Sequence, residues 1–74
     1  MRKAKILRVD YVNTSRNGNG QYRGQFLIDD CLIEIYGGVD SSWNNVLHNL
    51  EGKGCLVDYK ILRNKFVIVE LKGL

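Results

Sequence analysis

The chain has 74 residues, no proline, two cysteines and a formal net charge of +3. That is one domain with a thin stability margin, since a chain this short buries only about 60% of its unfolded surface. Two cysteines do not make a disulfide framework, no apolar run approaches the roughly 20 residues needed to cross a bilayer, and the apolar stretch an export signal needs after Met1-Arg2-Lys3 is broken by Lys5, Arg8 and Asp10. A cytoplasmic protein is therefore expected.

Lys5 to Val12 reads as a first strand, with Leu7, Val9 and Tyr11 alternating with Arg8 and Asp10 at the period of a half-buried strand. Ile6 and Val12 break the polar face. Asn13 to Gly20 is a loop with two Asn-Gly steps, longer than a tight hairpin, so a mobile tip is expected. The sequon Asn13-Thr14-Ser15 has no meaning without secretion.

Gln21 to Ile28 is a second strand with Tyr22, Gly24, Phe26 and Ile28 on one face. Gly24 in mid-strand marks a bend. Asp29-Asp30 is a tight turn into a third strand, Cys31 to Tyr36, with Cys31, Ile33 and Ile35 inward. Gly37-Gly38 ends it.

Asp40 or Ser41 can cap a helix over about residues 41–51. Trp43, Val46, Leu47 and Leu50 form its apolar stripe, with Trp43 as the anchor; Asn44, Asn45, His48 and Asn49 fall outside it. Gly52 stops it. Three turns are too few to stand alone, so the helix packs on the sheet.

Gly54 to Leu62 is a fourth strand, with Cys55, Val57, Tyr59 and Ile61 inward, and Arg63-Asn64 is the next turn. Phe66 to Leu71 is a fifth, with Phe66 and Ile68 on one face and Val67, Val69 and Leu71 on the other. A strand apolar on both faces is covered on both. The helix, or a subunit or partner interface at Phe66 and Ile68, would do this.

Little catalytic chemistry is present. His48 stands alone on a polar helix face, and no nucleophile is placed beside it. Two cysteines 24 residues apart, without paired histidines, make no zinc site and read as buried thiols. Gly18, Gly20 and Gly24 miss the dinucleotide fingerprint in spacing and precede a strand, not a helix. Asp29-Asp30 is a turn former. Neither an enzyme, a metal nor a cofactor is expected.

Charge is segregated. Residues 1–28 carry Arg2, Lys3, Lys5, Arg8, Arg16 and Arg23 against Asp10 alone; residues 29–52 carry five acids and no base. Residues 53–74 carry five bases against Asp58 and Glu70. Basic flanks attract polyanions. Lys60, Arg63 and Lys65 crowd the turn between strands four and five.

The order β-β-β-α-β-β defines an all-β dominated fold, a small five-stranded barrel with one short helix. It resembles the OB-fold in topology, over nearly the whole chain; an SH3-like barrel has similar ingredients. In OB-fold proteins strands two and three and the flanking loops carry the ligand. The resemblance therefore implies Arg16, Arg23, Gln25 and Tyr36, with Arg63 and Lys65, as a face for single-stranded nucleic acid or another anion. Lys60 joins them by its charge. Three functions follow as expectations: a non-enzymatic module that binds nucleic acid with weak specificity, a phage or mobile-element accessory protein that inhibits a host protein, and an oligomeric barrel that sequesters a small anionic nucleotide.

Overall fold

The computed structural model describes all residues, Met1–Leu74. Five strands and a helix follow in the expected order: β1 (Arg2–Thr14), β2 (Gly20–Ile28), β3 (Cys31–Tyr36), α1 (Trp43–Asn49), β4 (Gly54–Leu62) and β5 (Lys65–Gly73). The strands close into a barrel in the order β1-β2-β3-β5-β4. All neighbours are antiparallel except β3 and β5, which run parallel and meet only at Ile35–Phe66 and Tyr36–Val67. No helix is long and apolar enough to cross a membrane.

Two hairpins are set by their turns. Asp29 and Asp30 have φ of 48° and 65°, and Arg63 and Asn64 have 52° and 64°. Two successive left-handed residues give the two-residue reversal whose twist matches antiparallel strands.

The core consists of Ala4, Ile6, Phe26, Ile28, Ile35, Leu47, Cys55, Val57, Ile68 and Leu71. On β2 the expected inward face holds. On β1 it does not. Ile6 pairs with Phe26 and Arg8 with Gln25, so Leu7 is an extra residue in a bulge. Ala4 and Ile6 point inward before it, Val9 packs on the core after it, and Leu7 is expelled to solvent. The carbonyl of Ile6 instead accepts from the Gly52 N–H at 2.8 Å, and the Val9 N–H donates to Glu51 at 2.7 Å. The segment leaving the helix thus satisfies the backbone that the bulge frees.

A second bulge changes β5. Asp58 pairs with Glu70 and Tyr59 with Ile68, leaving Val69 unmatched. The phase flips there, so Leu71 lies in the same core as Ile68, not on the opposite face. Ile68 is only 4% exposed and belongs to the barrel interior rather than to an interface. Phe66 is half-buried and packs edge-on against the Tyr59 ring at 5.1 Å.

Two further expectations are corrected at strand ends. Cys31 is exposed, because it flanks the turn at the end of the barrel, while Cys55 is fully buried and burial raises its thiol pKa. Ile61 is 70% exposed, because the β4–β5 hairpin runs past the core.

The helix anchor is Leu47, fully buried; Trp43 is only half-buried. A fully buried leucine contributes about 1.5–3 kcal/mol. Gly24 makes room for it: a Cβ there would lie 2.7 Å from both Leu47 Cδ1 and Phe26 Cε1. Gly24 therefore serves close approach of the helix to β2.

Asn44, expected on the polar side, is buried. Its Oδ1 accepts from the Tyr22 N–H at 2.9 Å, and its Nδ2 donates to the carbonyls of Gly38 and Ser41 at 2.7 and 2.9 Å. Ser41 Oγ accepts the Trp43 N–H, giving the helix start one of its partners.

Candidate binding groove

The β1–β2 loop is tied down rather than loose. Asp40, left-handed at φ 56°, accepts from the Ser15 hydroxyl, from Asn17 Nδ2 at 2.7 Å and from Asn19 Nδ2 at 2.9 Å. These bonds, led by Ser15 and then Asn19 and Asn17, hold its carboxyl below the usual carboxylate range. Buried Gln21 adds a second tie, accepting the Asp40 N–H and donating to the Asn19 carbonyl. The loop before β2 and the loop after β3 are thereby joined.

Beside this junction an open groove of about 640 Å³ runs between the barrel wall and the β4–β5 hairpin. A second bulge on β1, at Val12, turns that side chain to the groove. Tyr36, Val39, Leu62, Arg63 and Lys65 line much of the rest, and no carboxylate lines it. Val39 is 81% exposed and Leu62 51%. The volume is that of an ordinary ligand site.

Of the residues implicated by sequence, the fold brings Tyr36, Arg63 and Lys65 together here. Lys65 Nζ stands over the Tyr36 ring, 4.7 Å from its centroid. Lys60 flanks the groove as the cross-strand partner of Val67, which lines it. Arg16 is exposed on the β1–β2 loop outside the lining. No carboxylate pairs with Arg16, Lys60, Arg63 or Lys65.

Arg23 and Gln25 are placed differently. Arg23 Nε lies 3.5 Å from Glu34 and 3.9 Å from Asp10, without the alignment of a hydrogen bond. Its Nη1 reaches the Tyr36 hydroxyl at 3.5 Å, and that hydroxyl donates to Glu34 at 3.3 Å. The Tyr36 hydroxyl first, and Glu34 next, hold the guanidinium more firmly protonated than usual. Its charge is met by the neighbouring carboxylates Glu34 and Asp10, and its guanidinium braces Tyr36. Gln25 is half-buried between Arg8 and Glu34 and does not line the groove.

Val12, Val39 and Leu62 were not among the sequence candidates. The signal for Val39 was an apolar residue between a Gly pair and Asp40, where no core face exists.

No protein-family model, curated protein or solved structure matches the chain.

Proposed function

We propose that this protein is a non-enzymatic binding module that holds a short stretch of single-stranded nucleic acid in the groove. The observation that carries the reading is the grouping of Tyr36, Arg63 and Lys65 on a concave, carboxylate-free surface. Aromatic faces stack bases of any identity, and ammonium and guanidinium groups follow the phosphates, so recognition is weakly specific and salt-dependent. Tyr36 offers the stacking face, with Lys65 moving from the ring to a phosphate as a base enters. Val39 and Leu62 give the base an apolar flank. Lys60 and Arg16 extend the basic field on either side.

Backbone amide shifts during titration with a short single-stranded oligonucleotide test this. Changes should concentrate at Tyr36, Val39, Leu62, Arg63 and Lys65. Unmoved groove resonances at saturating oligonucleotide would reject it.

One feature favours a second reading, a protein partner of the inhibitory kind: Val39, Ile61 and Leu62 expose apolar surface together with the hairpin tip. Such a partner would bind with little salt dependence.

A further inference from the structure

The fourth strand outruns its neighbour. β1 pairs with β4 only from Lys5–Gly54 to Arg2–Val57, whereas β4 continues to Leu62. Two bonds fix the phase of β4. The Ile6 N–H donates to the Lys53 carbonyl at 3.0 Å, and the Leu74 N–H donates to the Gly54 carbonyl at 3.3 Å. Odd-numbered residues of this stretch therefore turn their N–H and C=O groups to the β1 side, and even-numbered ones turn theirs to β5. The bulge opposite Asp58 adds its extra residue, Val69, to β5 and leaves the alternation of β4 intact. Tyr59 and Ile61 thus aim their backbone groups past Arg2, where no strand lies and no hydrogen bond takes them up. The side chains on this stretch are apolar on one face: Ile61 is 70% exposed, and Tyr59 is half-buried beside it.

An edge with free N–H and C=O groups and exposed apolar side chains is a template for another strand. We infer that this edge takes an extended segment of a protein partner, antiparallel to β4, whose side chains alternate apolar, acidic, apolar. The backbone sets the register. The residues opposite Tyr59 and Ile61 exchange N–H···O=C bonds with them, and apolar side chains there extend the Tyr59–Ile61 face. The residue between them stands opposite Lys60 in the close, non-bonded position. The segment is collinear with β1 and runs in its direction, so it ends or turns away at Met1. Its ladder covers Tyr59 to Leu62 and displaces no strand of the barrel.

Charge selects the acidic residue. Lys60 is exposed on the opposite face and has no carboxylate within salt-bridge reach, and neither has Arg63 at the turn beyond. Asp58, on the same face as Lys60, is already matched by the Met1 ammonium at 3.6 Å. A carboxylate opposite Lys60 supplies the missing partner. A second copy of β4 does not fit this register, because two lysines would meet at position 60. The inference develops the protein-partner reading given above and rests on it, not on nucleic-acid binding.

A capped peptide, acetyl-Thr-Thr-Val-Glu-Val-amide, titrated into the full chain and followed by amide shifts and hydrogen exchange, tests the inference. Shifts should centre on Tyr59, Lys60 and Ile61 by millimolar peptide, and the Tyr59 and Ile61 amides should slow by on the order of tenfold or more near saturation. Lys60→Glu should weaken binding on the order of tenfold, and a peptide with lysine in place of its glutamate should prefer that variant to the wild type. Ile61→Pro deletes an N–H that β5 does not use and should abolish binding. No shift from the acidic peptide at millimolar concentration, or a Lys60→Glu variant that keeps the wild-type preference, would overturn the inference. Binding that leaves the Tyr59 and Ile61 amides fast would overturn strand addition while a protein partner at the apolar tip still stood.

Discussion

The Lys65 ammonium covers the Tyr36 ring at 4.7 Å from its centroid, on a carboxylate-free concave surface that Arg63 also lines. An exposed cation–π contact is worth about 0.5–1 kcal/mol, less than the roughly 1–3 kcal/mol of a stacked base. The lysine can therefore yield the ring and follow a phosphate.

Replacing Tyr36 with alanine should weaken single-strand binding by about 1–3 kcal/mol, or roughly 5- to 150-fold. Tyr36→Phe keeps the ring and loses the hydroxyl bridge to Arg23 and Glu34, so its affinity should fall much less. Equal losses in the two variants, measured by titration calorimetry, would mean that the hydroxyl and not the ring is recognised.

Arg63 and Arg23 should behave unlike each other. Arg63 has no carboxylate partner, so Arg63→Gln removes one phosphate contact and lowers the salt slope by about 0.7. Arg23 is held by Glu34 and Asp10, so Arg23→Gln should leave the slope nearly unchanged while loosening Tyr36. Affinities at several salt concentrations separate the two.

Asp40 gives the fold an acid-sensitive clip. Its folded pKa lies below its unfolded value because Ser15, Asn19 and Asn17 donate to the carboxylate. The stabilisation is complete above the unfolded value near 3.8 and is lost as pH falls through the lower, folded value. Protection of the Asn17 and Asn19 amides, taken against their intrinsic exchange rates, should fall in the wild type only at acid pH below the ordinary carboxylate value. In Asp40→Asn they should already be fast at neutral pH and show no such acid step.

Gly24→Ala should cost about 1–3 kcal/mol, because its methyl meets Leu47 and Phe26, both fully buried and unable to retreat. Leu47→Ala should cost about 2–5 kcal/mol. In a domain of this size each kcal/mol lowers Tm by about 4–8 °C, which thermal melts followed by circular dichroism would read.

The element order, both two-residue turns and the inward face of β2 were legible because period-two patterning and turn residues are local signals. What failed was phase. Ile6-Leu7 interrupts an alternating strand, and Ile68-Val69 lies within the continuous apolar run Phe66 to Val69; each pair marks a bulge that reverses which side faces inward. Asn44 was misread because the fold gathers its partners around it, the Tyr22 N–H from β2 and the Gly38 and Ser41 carbonyls from the preceding turn, and together they make a buried amide favourable. At the groove, the charge pattern found Arg63 and Lys65. It could not show that Glu34 and Asp10 neutralise Arg23, since that pairing comes from strand register.

Fluorescence anisotropy of a labelled single-stranded oligonucleotide, titrated at low and moderate salt beside a duplex of the same sequence, is the most direct test of the central claim. Micromolar or tighter single-strand binding that falls steeply with salt and exceeds duplex binding is the predicted result. No binding at low salt, or binding indifferent to salt, would contradict it.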